Sequence, residues 1–400
     1  MTTLDLICAP SYFIGMLGSI SFVCFAIGAF FFTKQADVFG RHRVTVIAGA
    51  ITPVCLAVMY FGAEKYGIYL CYGTMAIMAL AYNPRSSTAY LYGAEILPPR
   101  KRLMFGTSLF MLDGCFGMFA SFYFYTWKDQ DFFFVIVFTV FSTSLIVMAV
   151  FLPETPSFCL TIGDVAGFQK SIEKITGIST EQTESLNQGN LADAAREIPS
   201  FTELWSRKPL RNNLIGVILI SSGANFSSYM IGYYTKYFPG NFFVNYAILA
   251  FADSVSMIYI TLLSFYVRGV KNVVRINLIV ICAFSAVYIL FVSRYPILVP
   301  FGIFILRICL NGILSFVYHM NQALFPTEFR SLASGSMNFV SRLFAASALI
   351  AVEYTSMPIV FVLSINLVVL LLSSGLIHEP RSKQAEFQSG EDKPHSFEES

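Results

Sequence analysis

Eleven runs of roughly 20 mostly apolar residues divide the chain, and this pattern constrains the fold more than any other feature. A helix of that length crosses the hydrocarbon core of a bilayer. Because lipid offers no hydrogen-bond partners, each span must pair its own backbone, and the sequence shows none of the alternating polarity of barrel strands. The predicted spans are 11–33, 44–62, 67–92, 103–126, 132–152, 213–235, 241–266, 273–293, 295–320, 331–353 and 357–377.

Composition excludes several classes of protein. Only 12% of the 400 residues are charged and 56% are hydrophobic, whereas soluble domains carry about 25% charge. The net charge of +2 gives no indication of a nucleic-acid partner. The eight cysteines lie mostly within the apolar runs without metal-ligand spacing. With no Walker loop, nucleophile elbow or His/Cys metal cluster in the sequence, neither a cofactor nor an enzymatic activity is expected.

Basic residues in the short loops predict the orientation, since Lys and Arg concentrate on the cytoplasmic side. One set of span ends carries ten of them and the opposite set carries four. The ten are Lys34, Arg41, Arg43, Arg100, Lys101, Arg102, Arg268, Lys271, Arg275 and Arg330. This places the loop at 153–212 and the C-terminal tail in the cytoplasm and the N-terminus outside.

A short pattern occurs twice, 228 residues apart. Glu95-Ile-Leu-Pro-Pro-Arg-Lys-Arg102 follows one apolar run, and Ala323-Leu-Phe-Pro-Thr-Glu-Phe-Arg330 follows another. Such a repeat indicates an ancient duplication, and duplicated membrane halves are typical of transporters with a site between them. The predicted organisation is a first bundle at 1–152, a cytoplasmic loop at 153–212 with helical stretches near 164–176 and 190–206, a second bundle at 213–378, and a disordered tail at 379–400. The same offset pairs Asn83 with Asn311, Ser87 with Ser315, Tyr90 with Tyr318 and Ser108 with Ser336.

Four cytoplasmic motifs resemble those of the major facilitator superfamily. Asp37-Val-Phe-Gly40-Arg41-His-Arg43 resembles its D-R-x-G-R-R loop, and Glu95–Arg102 its E-x-x-P-x-x-x-R loop. Pro153-Glu154-Thr-Pro156 is similar to P-E-S-P-R, and the pattern ending at Arg330 repeats the second motif. The resemblance implies an all-α fold of two pseudo-symmetric six-helix bundles, with about eleven spans in this chain. Departures from the motifs occur at Thr33, Val38, Ser157 and Ala323.

Three further stretches resemble the organic cation/anion, sugar-porter-like branch of that superfamily. These are Asp5-Leu-Ile-Cys8, Gly240-Asn-Phe-Phe-Val-Asn245 and Ser341-Arg342-Leu. The match begins after the family's first helix. Together with the odd number of spans, this leads us to expect that the first family helix is missing.

The motif loops predict a cytoplasmic gate in which arginine forks clamp carboxylates in one state and release them in the other. The alternative is that the basic residues only set the orientation. The predicted gate residues are Asp37, Gly40, Arg41, Glu95, Arg102, Glu154 and Arg330.

A charge well inside a predicted span needs a partner or a water-filled cavity, and Arg85, Asp113, Asp253 and Arg342 are such charges. Arg85 and Asp113 are both about 15 Å from the cytoplasmic boundary on consecutive helices, which predicts an ion pair. Asp253 at about 20 Å and Arg342 at about 16 Å suggest a second pair. The alternative is structural neutralisation. The family resemblance associates an Arg at the position of Arg342 with anion-handling members, which favours anionic or zwitterionic substrates.

Polar side chains at helical spacing predict the cavity lining, with helix packing through small residues as the alternative for the serines. The predicted cavity residues are Asn83, Ser87, Tyr90, Asp113, Asn225, Tyr229, Asp253, Arg307, Asn311, Tyr318 and Arg342. A lone histidine, His319, is a further candidate for carrying protons, although a local hydrogen bond is the commoner role.

These observations predict a secondary transporter or facilitator that moves small organic solutes (organic ions, sugars or zwitterions) by alternating access. A proton or other ion is a candidate coupling partner. The plasma membrane is the expected location by resemblance, with an organelle membrane as the alternative. A second hypothesis is a non-transporting receptor or partner-binding membrane protein. An integral-membrane enzyme is a third hypothesis, for which the loops supply no charged or nucleophilic cluster beyond the gate residues.

Overall fold

The computed structural model describes residues 11–32, 35–97, 99–177, 201–238, 240–291, 294, 299–326, 329–355 and 357–378. Within those ranges every regular element is helical. The helices are α1 (Ser11–Phe31), α2 (Gln35–Phe39), α3 (Arg41–Ile96), α4 (Pro99–Thr126), α5 (Gln130–Phe151), α6 (Pro156–Thr161), α7 (Val165–Thr176), α8 (Phe201–Ser206), α9 (Lys208–Tyr234), α10 (Phe242–Tyr266), α11 (Val270–Phe291), α12 (Val299–Leu324), α13 (Arg330–Tyr354) and α14 (Pro358–Leu376). A short 3₁₀ turn, Thr235–Tyr237, extends α9.

The long helices match the predicted spans. In the described part of the chain, eight helices are long and apolar enough to cross a membrane. One of the eight, α3, covers two predicted spans, and α1 and α4 occupy the predicted spans at 11–33 and 103–126. None of the residues of α5 is buried, so its apolar side chains face outward, as expected for a helix in lipid. The all-α membrane fold is therefore confirmed.

Gly67 divides α3 into the two arms of a helical hairpin. Its backbone is at φ 63° and ψ −154°, a conformation open to glycine and costly for other residues. The arms pack side by side, because Val54 and Val58 line the same apolar groove as Thr74 and Ile77. The sequence prediction of two spans, at 44–62 and 67–92, thus holds although no loop separates them.

Two helix pairs join the halves of the molecule. In one pair, α1 runs along α13, and the Ser19 hydroxyl donates to the Ala346 carbonyl at 3.0 Å. In the other, α4 packs on α10 so closely that a Cβ at Gly114 would overlap Ser254. Small residues at these crossings let the helix backbones approach, which is how helices associate in membranes.

The second half contains the largest apolar core. Helices α9 to α12 and α14 contribute fully buried side chains, among them Leu214, Ile220, Leu278, Ile281, Leu306 and Leu310. The segment between the two halves contains α6, α7 and α8, and Asp164 caps α7 by accepting from the Gly167 amide at 2.9 Å. The helix predicted near 164–176 is present as α7. Of the stretch predicted at 190–206, residues 201–206 form α8 and the rest lies outside the described residues, as does the tail at 379–400.

Candidate functional site

Asp253 and Arg307 form a bidentate ion pair between α10 and α12. The Arg307 Nε atom lies 2.7 Å from Asp253 Oδ1, and Nη2 lies 3.0 Å from Oδ2. Asn311 also donates to Asp253, and the Ser228 hydroxyl donates to Asn311 at 2.8 Å. Arg307 Nη1 in turn donates to the Ser228 carbonyl. Each charged group is thereby neutralised, which satisfies the requirement for charges buried in a membrane.

Arg342 has a different environment from the one predicted. The expected pair with Asp253 is wrong, because Arg307 occupies that carboxylate. Instead, Arg342 Nη1 donates to the Tyr229 hydroxyl at 2.7 Å, and its guanidinium lies 4.4 Å from the ring centroid of Phe25. The ring centroid of Phe22 lies 6.0 Å from the same guanidinium, so aromatic side chains surround Arg342. The Nε atom of Arg342 is buried without a hydrogen-bond partner.

The predicted pair between Arg85 and Asp113 is not formed. Arg85 Nη1 donates to Thr52 at 2.8 Å, and the guanidinium lies 5.3 Å from the ring centroid of Phe141. This contact points Arg85 into the first half. Similar distances from the helix ends did not suffice to predict this pair, because they do not give the direction of a side chain around the helix axis.

Asp113 lies instead on the face of α4 that packs towards α10. It is exposed, and it interacts electrostatically with Asp253 and Arg307 of the other half. The neighbouring Gly114 contacts Ser254, the residue after Asp253, so the two acidic residues flank one helix crossing. The structure therefore brings Asp113, Asp253 and Arg307 to the centre of the molecule.

The polar stripe on α3 is only partly directed at the interior of the molecule. Asn83 is buried, and its carbonyl accepts the Ser87 hydroxyl at 2.6 Å. Tyr90 is 40% exposed, and its ring centroid lies 6.2 Å from that of Phe105 on α4. Ser87 thus bonds its own helix, as serines in membrane helices do.

The matching stripe on α12 is better connected. Asn311 belongs to the Asp253 network, and Tyr318 donates to Asn338 of α13 at 3.0 Å. On α9, Tyr229 contacts Arg342, whereas the buried Asn225 donates back to the Ser221 carbonyl at 2.9 Å. Asn225 therefore serves its own helix rather than the charged centre.

A second cluster, at the start of α3, contains four of the predicted gate residues, namely Gly40, Arg41, Glu95 and Glu154. Arg41 Nε donates to Glu95 Oε1 at 3.2 Å, and its guanidinium lies 5.5 Å from the ring centroid of Phe158. Glu154 accepts from the backbone amides of His42 and Thr155, at 2.9 Å and 3.1 Å. These contacts tie α3 to the segment that follows α5.

Of the remaining gate residues, the structure describes the side chain of Arg330 only. Arg330 donates to the Phe325 carbonyl at 3.0 Å, so in this state it closes the turn between α12 and α13. The side chains of Asp37 and Arg102 lie outside the described part of the structure. Near the cluster, burial and then the carboxylates of Asp164 and Glu154 raise the pKa of the Cys159 thiol.

Sequence reasoning did not find an ion pair at the opposite end of the molecule. Lys236, after α9, lies 2.5 Å from Glu353 near the end of α13, and the Tyr237 hydroxyl donates to the same carboxylate at 2.9 Å. A Cβ at Gly15 of α1 would lie 3.4 Å from the Glu353 side chain. In the sequence, Lys236 is one of the four basic residues at the opposite set of span ends. Nothing in the spacing links positions 236 and 353, so the pair could not be predicted.

The contacts between α4 and α10 include the middle of both helices. Gly117 approaches Ala250 and Tyr246, and Ser254 lies within 3.5 Å of the Met111 carbonyl. Leu109, nearer the start of α4, and Leu262, nearer the end of α10, are exposed.

These features define a class: a polytopic membrane protein of two helical halves that meet around a charged centre. The chain belongs to the Major Facilitator Superfamily, whose sequence model matches residues 7–349. The fold, in addition, is similar to that of the xylose transporter XylE from E. coli. Its partially occluded inward-open form matches with a TM-score of 0.68 and 11% identity over 93% of this chain and 88% of that one. The inward-open form of XylE matches with a TM-score of 0.68 and 12% identity, over 95% of this chain and 90% of that one.

The chain is also similar to curated proteins from animals. The chain is 21% identical over 394 residues to "Uncharacterized protein F23F12.3" of Caenorhabditis elegans, covering 89% of this chain and 73% of that protein. It is 27% identical over 176 residues to Synaptic vesicle glycoprotein 2C of Mus musculus and, separately, of Homo sapiens. That overlap covers 39% of this chain and 23% of the glycoprotein.

Proposed function

We propose that this protein is a secondary transporter that moves a small organic ion by alternating access, with its site at the charged centre between the halves. The observation that carries the proposal is Arg342. It is a guanidinium with no carboxylate partner among the described residues, held by Tyr229 and the ring of Phe25 where α13 meets α1. An uncompensated charge at this depth costs several kcal/mol, so it is retained where a ligand supplies the opposite charge.

The arrangement of the helix crossings supports the transport cycle. The halves pack along α1 and α13 and at the outer part of the α4–α10 crossing. In the proposed cycle the halves rock about these contacts, so that the α4–α10 crossing opens on the outer side as the cytoplasmic ends approach each other. The Arg41–Glu95 and Glu154 cluster would then stabilise one of the two states.

The resemblance of Asp5–Cys8, Gly240–Asn245 and Ser341–Leu343 to the organic cation/anion branch supports an organic ion as the solute. Within that proposal Arg342 binds the anionic group. The remaining predicted cavity residues that contact the charged centre, namely Asp113, Tyr229, Asp253, Arg307 and Asn311, would line the site. A proton is the proposed coupling ion, and XylE is described as a proton:xylose symporter.

The test combines flux with conformational change. Uptake of labelled organic anions and cations is measured in cells that express the protein or its Arg342→Ala variant. In parallel, spin labels at Leu109 and Leu262, in a background without native cysteines, report the distance across the cytoplasmic mouth. We expect two distance populations and anion uptake that Arg342→Ala abolishes. A matched label pair at Val58 and Ile77, on the two arms of α3, should give one distance.

Two results would overturn the proposal. A single long distance between residues 109 and 262 under all conditions would show that the halves do not rock. A protein that reaches the membrane, binds organic ions and carries no flux would instead support the receptor hypothesis.

A further inference from the structure

The charged centre contains one unpaired acid as well as one unpaired base. Asp113 is exposed, and among the described residues it accepts no hydrogen bond and forms no ion pair. Arg342 is the unpaired base, with a buried Nε that has no partner. Asp253 and Arg307 neutralise each other, so the net charge near Asp113 is negative, whereas that near Arg342 is positive.

The two unpaired charges lie at matching depth in corresponding helices. The 228-residue offset of the internal repeat aligns Asp113 with Ser341, the residue before Arg342. Their helices, α4 and α13, are equivalent members of the two halves, and each provides one of the helix crossings between halves. The internal repeat therefore assigns Asp113 and Arg342 to neighbouring positions of equivalent helices.

Aromatic side chains lie near both charges. Tyr82 of α3 interacts electrostatically with both Asp113 and Arg342. The ring of Tyr82 lies 5.3 Å from that of Phe25, which in turn lies under the Arg342 guanidinium. A ligand that extends from one charge to the other would thus pass over an apolar, aromatic surface.

We infer that the site binds an elongated zwitterion, with its ammonium group at Asp113, its carboxylate at Arg342 and a flat apolar body against Tyr82 and Phe25. This inference rests on the proposed function and specifies its substrate class. An anion would satisfy Arg342 and leave Asp113 uncompensated, and a cation would do the reverse. Only a ligand with both charges forms a charge-assisted contact at each end, so a singly charged competitor lacks one of the two contacts.

Three ligands with the same ring distinguish the possibilities. These are para-(aminomethyl)benzoate, which is a zwitterion, para-methylbenzoate, which is an anion, and para-methylbenzylamine, which is a cation. Binding to the purified full-length protein is measured by equilibrium dialysis with radiolabelled compounds. We expect the zwitterion to bind at least roughly tenfold more tightly than either singly charged analogue, since one charge-assisted contact contributes about 1.4 kcal/mol or more.

Two variants assign the ends of the ligand. Asp113→Asn should reduce the affinity for the zwitterion to that of para-methylbenzoate and leave para-methylbenzoate binding unchanged. Arg342→Gln should have the mirror effect, lowering zwitterion binding to the level of para-methylbenzylamine. Asp113→Glu keeps the charge and should retain the preference, which separates a charge effect from misfolding. Glu173→Gln, at an exposed carboxylate on α7, is the matched control and should change nothing.

Equal affinity of wild-type protein for para-methylbenzoate and the zwitterion would overturn the inference, as would an Asp113→Asn variant that keeps the tenfold preference. Binding of none of the three by protein that still shows two spin-label distances would overturn it as well, while leaving the transporter proposal intact. A zwitterion preference in protein with a single spin-label distance would support the site and contradict transport.

Discussion

A Cβ atom at position 40 would overlap Oε2 of Glu154, so the Gly40 backbone and this carboxylate are in direct contact. The contact places the start of α3 against the segment after α5, where Glu154 also accepts the His42 amide. Gly40 has φ 98° and ψ 149°, a region essentially restricted to glycine. Conformation and contact both require glycine here, which explains the residue in the motif independently of any family pattern.

Gly40→Ala should therefore destabilise the protein by about 1–3 kcal/mol, because it adds backbone strain and displaces the Glu154 carboxylate. The thermal unfolding midpoint of purified protein measures the effect. Gly335→Ala is the matched control, since a Cβ at that position in α13 meets open space. It should stabilise by up to about 1 kcal/mol through helix propensity. Equal midpoints for the two variants would show that the contact at Gly40 is unimportant.

The reactivity of Cys159 reports on the cluster of Arg41, Glu95 and Glu154. Its thiol is 4% exposed, and burial followed by the carboxylates of Asp164 and Glu154 raises its pKa. A raised pKa leaves little thiolate at neutral pH, so reaction with maleimide should be slow in wild-type protein. Glu154→Gln removes one of these negative charges and weakens the acceptor for the His42 amide, and should increase the labelling rate several-fold.

The rate is measured by mass spectrometry of the Cys159 peptide at neutral pH. Glu173→Gln removes an exposed carboxylate of α7 and should leave the rate unchanged. Rapid labelling of wild-type protein would contradict the closed, buried environment of Cys159.

The ion pair between Lys236 and Glu353 predicts unequal effects of removing its two members. The Lys236 side chain is 33% exposed, whereas that of Glu353 is 7% exposed. Lys236→Met leaves a nearly buried carboxylate with only the Tyr237 hydroxyl, which should cost about 1–3 kcal/mol. Glu353→Gln leaves an ammonium that water can reach and should cost less. The double variant should recover most of the loss.

Unfolding midpoints of the two single variants and the double variant measure this pattern. If the two single variants lose the same free energy of unfolding and the double variant loses their sum, the ion pair contributes nothing to stability.

The close approach of α4 and α10 predicts the effect of enlarging Gly114. A Cβ there would overlap Ser254 Oγ and lie 2.8 Å from the Ala250 carbonyl. Gly114→Ala should disfavour the state in which this outer crossing is packed by about 1–3 kcal/mol, a shift of roughly tenfold in the population. The population with the short distance between spin labels at Leu109 and Leu262 should increase, and the population with the long distance should decrease.

Gly73→Ala is the control for this experiment, because a Cβ at Gly73 has no neighbour within 4 Å. It should leave the two populations unchanged. An unaltered distribution in Gly114→Ala would mean that the crossing does not take part in the conformational change.

The sequence was sufficient to predict the membrane spans, since their length and hydropathy depend only on local composition. The depths of Asp113 and Arg342 stay predictions, which follow from the rise per residue of a helix. The sequence did not predict ion-pair partners. Pairing depends on the rotation of each helix about its axis, and the apolar residues surround these helices too evenly to fix that rotation. Arg85 accordingly contacts Thr52 rather than Asp113, and Arg307 rather than Arg342 pairs with Asp253.

The hairpin at Gly67 has a consequence for how the protein is made. Its two arms are joined by one residue in a conformation suited to glycine, so almost no polar chain separates them. A single arm in the bilayer would have no partner helix to pack against. The two arms of the hairpin, by contrast, pack against each other as they enter. We therefore expect residues 41–96 to leave the ribosome and insert as one unit, with the turn at Gly67 carried across the membrane as its leading point.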